Sequence, residues 1–284
     1  MSSERVILVT GCSSGIGRAT ALEASLRGHR VFASARNRSD LADLERRENL
    51  VALTLDVTDA GAIRSAVEAV LSRAGRLDAL VNNAGYGQYG AAEDVTPDEW
   101  RAQFDVNLFG SIAMMQAVLP TMRTAGGGTI VNVSSVAGRV AIPFASPYCA
   151  SKHALEAVSD ALRVELSAFG VRVVLVEPGP IETRFGDRAR SIVAPLISRP
   201  GPYRDVYTLA ERAMEGEFQK GKLPAEAVAR VVVDAIESER PRPRYPVGRI
   251  AHALIPLRGL LPDRWFDALM RRSLGMRSGP AKNG

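Results

Sequence analysis

Cysteine is almost missing from this chain. Cys12 and Cys149 are the whole complement, too few for a disulfide framework or a cysteine-based zinc site. Three histidines in 284 residues give no histidine-rich metal cluster, and no metal is expected. No apolar run approaches the roughly 18 residues that span a bilayer, which excludes a transmembrane helix. A secretory leader is missing as well. Met1-Ser2-Ser3-Glu4-Arg5 runs straight into Val6-Ile7-Leu8-Val9, and a cytoplasmic protein is expected. Repeats and low-complexity linkers are also absent.

What remains is 46% hydrophobic and 24% charged, the balance of a globular protein and not of a disordered one. The length suits one large domain. Net charge is +5 and unevenly spread: from Arg240 onward ten basic residues stand against Asp263 and Asp267, a local +8, so the rest carries −3. A body of that sign is no nucleic-acid surface, and no nucleic-acid partner is expected.

Near-continuous apolar runs at 5–10, 30–35, 50–57, 78–82, 129–133 and 171–177 predict strands buried on both faces. Helical patterns at 16–27, 40–47, 60–73, 100–124 and 151–168 alternate with them. This alternation predicts a doubly wound α/β fold with a parallel sheet, and places ligands at the carboxyl ends of the strands. We expect one domain over 1–248. Prolines and glycines mark 184–223 as a flexible insertion with one or two helices. Residues 224–239 read as a further helix and 242–247 as an edge strand, since Pro243 and Pro246 cannot donate to a ladder. The basic extension 249–284 carries an amphipathic helix at 262–274, with Trp265, Phe266, Leu269, Met270 and Leu274 on one side.

Every chemical motif falls at a strand end. Thr10-Gly11-Cys12-Ser13-Ser14-Gly15-Ile16-Gly17 joins the first strand to the first helix. Its glycines allow a tight turn against a pyrophosphate, and the helix start offers free N–H groups. The spacing is G-x-x-x-G-x-G, and a ligand-free glycine turn would look the same. The acid that grips a ribose 2′-hydroxyl near the end of the second strand is replaced by Ala35. Arg36 follows, and a guanidinium suits a 2′-phosphate; Ser13 could add a hydroxyl. NADP(H) is therefore the expected cofactor, the alternative being a solvated Arg36 beside Arg38. Asp56-Val57 ends the third strand, where the carboxylate could accept from an adenine amino group or cap the next helix. Asn82-Asn83-Ala84-Gly85 ends the fourth, its small residues leaving room for the cofactor and its asparagines suited to clamping backbone.

The strongest constellation is Ser135 with Tyr148-Cys149-Ala150-Ser151-Lys152. Tyr148 and Lys152 share a helix face at i, i+4. An ammonium beside the phenol would lower its pKa toward working pH, fitting it to exchange a proton with an alcohol or carbonyl oxygen. Ser135 could bond that same oxygen, and Asn107 could hold a water near Lys152. No Gly-x-Ser-x-Gly elbow is present, so a hydrolase triad is unsupported.

On these residues the chain resembles the short-chain dehydrogenase/reductase family in its single-domain form, a Rossmann-type fold. The likeness covers about residues 5–183 and, more loosely, 224–247. It rests on Thr10 to Gly17, Asp56, Asn82 to Gly85, Asn107, Ser135, Tyr148 with Lys152, and Pro178-Gly179-Pro180-Ile181-Glu182-Thr183. The resemblance implies that Tyr148 is the acid/base, that Lys152 lowers its pKa and binds the nicotinamide ribose, and that Ser135 orients the substrate. It implies further that Asn107 anchors a relay water, and that Ile181 and Thr183 position the nicotinamide beside Pro178 and Gly179. The implied serine lies thirteen residues before the tyrosine, which selects Ser135 over Ser134. Homo-oligomers through the long helices are also implied.

Within the family the sequence is most similar to the hydroxysteroid, retinol and lipid-type dehydrogenases. This implies an apolar substrate, with Tyr86, Val140, Phe144, Pro180 and Phe185 as candidate wall residues beside Ser135. Three other readings compete: an NAD-dependent enzyme of other small alcohols or ketones, epimerisation or dehydration with a tightly held NAD, and a non-catalytic NADP-sensing protein. The basic tail could lie on an anionic membrane; packing on the body is the favoured expectation.

Overall fold

The computed structural model describes residues 4–198, 201–215 and 222–276, with backbone alone at 184–190 and 210–215. The apolar runs form β1 (Val6–Val9), β2 (Arg30–Ala35), β3 (Leu50–Thr54), β4 (Ala79–Asn82), β5 (Gly128–Val133) and β6 (Val171–Pro178). With β9 (Arg244–Val247) they make, among the described residues, a seven-stranded sheet of order β3-β2-β1-β4-β5-β6-β9, parallel throughout. Strand order reverses between β1 and β4, which opens a crevice at their carboxyl ends. β9 pairs on the edge, where Pro246 is tolerated. A small ladder joins β7 (Ile181–Glu182) to β8 (Leu223–Pro224) at the base of the insertion.

Helices cover both faces. α1 (Gly15–Leu26) and α8 (Ala225–Glu237) pack on one, where Val228, Val232 and Ile236 meet Val131 and Val174. α2 (Ala60–Ala74), α4 (Gly110–Thr124) and α5 (Ser146–Glu165) flank the other, over Leu8, Phe32, Leu80 and Ile130. Complete burial of both faces is why the strands read as unbroken apolar runs.

Three boundaries differ from the sequence reading, each for a local reason. The helix expected at 40–47 is two 3₁₀ turns, Arg38–Leu41 and Leu44–Arg46. Its two buried apolar residues, Leu41 and Leu44, stand three apart, the repeat of a 3₁₀ turn. The third strand stops at Thr54 because the Asp56 carboxylate accepts from the Thr58 N–H and hydroxyl, at 2.9 and 2.7 Å, and turns the chain. The single helix expected at 100–124 is α3 (Pro97–Phe104), a π-turn over Asp105–Phe109, and α4. A β-carbon on Gly110 would sit 2.8 Å from the Val57 side chain, so glycine lets the chain pass there.

The insertion holds α6 (Arg184–Ser198) and α7 (Arg204–Glu215). The tail forms α9 (Arg249–Leu260) and α10 (Asp263–Ser273). Ala251 and Phe266 bury themselves against Val136 and Val140, so these helices close over the body. No helix among the described residues is long and apolar enough to cross a membrane.

Candidate active site

The carboxyl ends of β1, β4, β5 and β6 surround one cavity of about 770 Å³. The glycine turn forms its first wall. Gly11 and Gly15 have φ of 72° and 58°, the left-handed region that favours glycine. A β-carbon on Gly11 would lie 2.8 Å from the Ala84 Cα, and one on Gly15 3.0 Å from Thr183. Gly11, Ser13, Ser14, Gly15 and Ile16 face the cavity. Gly17 does not: it is buried behind the turn, where a β-carbon would meet the Asn83 side chain at 2.3 Å. Ser14, the N-cap of α1, makes no side-chain cap bond, which leaves the first N–H groups of the helix to an anion.

Asn83 clamps this turn, as the sequence suggested. Its Nδ2 donates to the carbonyls of Thr10 and Gly11 at 2.9 and 3.1 Å, while Thr10 Oγ1 accepts from the N–H groups of Asn83 and Ala84, both at 3.0 Å. Asn83, Ala84 and Gly85 thus line the wall opposite Gly11. Arg36, Asp56 and Val57 line the far end. Arg38 is engaged by Glu45 at 2.5 Å. Arg36 is exposed and makes no ion pair or hydrogen bond among the described residues. Asp56 does not cap the next helix, one of its two expected roles: Asp59 does, and Asp56 instead turns the chain through its bonds to Thr58, which hold its pKa below the usual carboxylate range, with help from Arg36.

At the other end stand Ser135 and Tyr148. Pro147 is the second residue of α5, so Tyr148 falls in its first turn and Lys152 one turn on. Ser135, just past β5, lines the cavity with Tyr148, and its Oγ accepts from the Ala137 N–H at 3.1 Å. Of the two adjacent serines, Ser135 is the one whose hydroxyl bears on the phenol. Burial pushes Tyr148 up to about 12, against a lowering from Ser135. This departs from the expected acidification. Lys152 Nζ, itself buried, donates at 2.7 Å to the Val133 carbonyl, and burial lowers it to about 8. Loss of solvent outweighs the neighbouring charge here.

Asn107 sits in the π-turn behind the cavity, where its Oδ1 accepts from Tyr86 N at 3.1 Å and its Nδ2 donates to Tyr86 O at 3.0 Å and to Ser151 at 3.3 Å. It fixes the loop that carries Tyr86. Pro178, Gly179, Ile181 and Thr183 line the cavity beyond β6. So do four expected substrate-wall residues: Tyr86, Val140, Phe144 and Pro180. Phe185 is in the first turn of α6, and its side chain lies outside the described residues.

Several wall residues were not foreseen. Tyr89 is stacked on Tyr148 at a centroid distance of 6.4 Å. Phe144 has φ 63°, the one non-glycine residue at positive φ among the described residues, and packs edge-on against Tyr207 of α7. Ile250, Leu254, Met270 and Leu274 of the tail complete an apolar roof. Behind Lys152, the buried carboxylates Glu156 and Glu177 share Arg244, at 3.2 and 3.3 Å, and Arg139. An acid ending the apolar run Val173-Val174-Leu175-Val176 was the available signal for Glu177. Cys12 and Cys149 are free, and burial pushes both thiols up, as for inert structural cysteines. No metal-binding cluster occurs among the described residues.

Comparison with known proteins follows the same lines. A family model described as short chain dehydrogenase matches residues 5–192. The chain is 36% identical to an NADPH-dependent 3-dehydrocapnine reductase of Ornithobacterium rhinotracheale, over 95% of this chain and 97% of that one. It is also 36% identical to a 3-ketodihydrosphingosine reductase of Bacteroides thetaiotaomicron, over 94% and 97% respectively. Among solved structures, a short chain dehydrogenase/reductase of Burkholderia phymatum in complex with NAD superposes with a TM-score of 0.78 at 25% identity, covering 99% of both chains.

Proposed function

Because the chain belongs to the short-chain dehydrogenase/reductase family, we propose that it is an NADP(H)-dependent oxidoreductase of a carbonyl/secondary-alcohol pair on an apolar, lipid-like substrate. The observation that carries this reading is the placement of Ser135, Tyr148 and Lys152 together in the wall of a largely apolar cavity. The glycine cradle fits a dinucleotide: Gly11, Ser13, Ser14 and Gly15 line it, and the first N–H groups of α1, left without a side-chain cap, face a pyrophosphate there. When bound, NADP(H) supplies or accepts the hydride.

The chain's own side chains account for the rest. In reduction, Tyr148 gives its proton to the substrate oxygen while Ser135 hydrogen-bonds that oxygen and orients it. Lys152 holds the nicotinamide ribose, and its charge favours the phenolate that proton transfer leaves. Asn107 keeps the Tyr86 loop in register and anchors a relay water. Ile181 and Thr183 hold the nicotinamide end, and the exposed Arg36 takes the 2′-phosphate. Support for a lipid-like substrate comes from the apolar roof and from the relatives named as reductases of 3-dehydrocapnine and 3-ketodihydrosphingosine.

The test is oxidation of NADPH, followed at the reduced-nicotinamide absorbance band, against a panel of small and long-chain ketones. Turnover that rises with chain length is expected. Tight NADPH binding without turnover on any ketone, or on any alcohol in the reverse direction, would overturn the oxidoreductase reading.

A further inference from the structure

Seven large apolar side chains are exposed among the described residues, and three of them fall in one short stretch: Leu260 at 80%, Trp265 at 71% and Leu269 at 37%. Trp265 and Leu269 stand at i, i+4 and so share one side of α10. Another side of the same helix, with Phe266, Met270 and Leu274, is turned to the body: Phe266 and Met270 join the core cluster over Val136 and Val140, and Met270 and Leu274 line the cavity. The helix thus has two apolar sides, and only one is used in the fold.

The charged residues around the unused side have one dominant sign. Arg264, Arg271 and Arg272 are exposed and make no ion pair or hydrogen bond through their side chains among the described residues. By contrast Arg258 is held by Asp263 at 2.7 Å and lies over the Phe266 ring. The basic excess from Arg240 onward, +8 against −3 for the rest of the chain, belongs to the same end of the molecule. A tryptophan and leucines flanked by free arginines match a surface whose outer layer is anionic and whose interior is apolar.

We propose that the outer side of α10, with the end of α9, docks on an anionic lipid bilayer, so that the roof of the cavity sits on the membrane from which a lipid-like substrate is drawn. The proposal rests on the apolar-substrate reading of that cavity. It concerns an interfacial contact, since no described helix can cross a membrane.

The full-length protein would be sedimented with vesicles of phosphatidylcholine alone and of phosphatidylcholine with phosphatidylglycerol. Trp100 and Trp265 are the only tryptophans, so a Trp100→Phe protein reports on Trp265 alone. Expected are co-sedimentation with the anionic vesicles, reversal by high salt, and a blue shift of Trp265 emission. A Trp265→Ser/Leu269→Ser protein should bind at least tenfold more weakly, and an Arg264→Gln/Arg271→Gln/Arg272→Gln protein roughly a hundredfold more weakly. Neither set lines the cavity, so both should keep wild-type turnover of a small water-soluble ketone. Absence of vesicle binding by a parent protein that turns over that ketone overturns this inference and leaves the oxidoreductase reading standing. Loss of ketone turnover in the parent strikes at that reading instead. Vesicle binding unaffected by either variant also overturns the inference. So does a change from dimer to monomer in the serine variant without vesicle binding by the parent, which would assign the face to a second copy of the chain.

Discussion

Lys152 donates from Nζ to the carbonyl oxygen of Val133 at 2.7 Å. This bond ties α5 to the end of β5, the two elements that present Tyr148 and Ser135, and it holds the ammonium in a buried position that lowers its pKa to about 8. A charge kept at this cost makes the site sensitive to alkaline pH.

For ketone reduction, kcat/KM should fall as pH rises through about 8, where Lys152 loses its proton and with it the support for the phenolate. The profile of kcat/KM reports groups of the free enzyme. Lys152→Arg should be slower yet lose this alkaline limb, because a guanidinium stays charged. A limb of unchanged midpoint in that variant would assign the titration to another group.

Tyr148→Phe should lower kcat by about a thousandfold or more, the range of a lost general acid, while the NADPH dissociation constant stays within a few-fold. Near-wild-type turnover would end the acid/base assignment. Ser135→Ala keeps the phenol and removes the hydroxyl that bears on it, so a smaller loss is expected.

Among the described residues Arg38 is occupied by Glu45, whereas Arg36 makes no ion pair or hydrogen bond. The parent enzyme should therefore prefer NADPH in kcat/KM. Arg36→Ala should reduce that preference tenfold or more, the scale of a charge-assisted hydrogen bond. Equal use of NADH and NADPH by the parent would refute the assignment.

Burial and the neighbouring Glu156 push Glu177 up to about 7 from an ordinary 4.5, against Arg139 and Arg244. A carboxyl whose folded pKa is raised binds more protons in the folded state than in the unfolded one between those values. Its contribution is fully present below pH 4.5 and is lost as pH rises toward 7. Glu177→Gln should flatten this part of the profile, so that the variant loses less stability than the parent between pH 5 and about 7. Urea midpoints at a series of pH values would measure it, and parallel curves for the two proteins would refute it.

The alternation of apolar runs with helical patterns was enough to read the parallel sheet, because strands buried on both faces have no polar side to hide. The glycine turn, Ser135 and the Tyr148/Lys152 pair were legible for a related reason: local spacing alone puts each at a strand end or on one helix face. Asn107 shows where that reading stops. Its bonds to Tyr86 and Ser151 join partners that only the path of the loops brings near.

The sequence by itself determined the doubly wound sheet and the identity of the chemical groups, since both follow from short-range periodicity and from residues close together along the chain. Tertiary structure alone decided their electrostatics and the shape of the cavity. The Tyr148 phenol stands above its free-solution pKa because burial, a property of all its neighbours together, outweighs the lowering from one nearby hydroxyl, Ser135. Likewise the roof of the cavity comes from α9 and α10, more than a hundred residues after Ser135 in the chain. Their apolar pattern was plain, but the surface it would cover was set by the folding of everything before it.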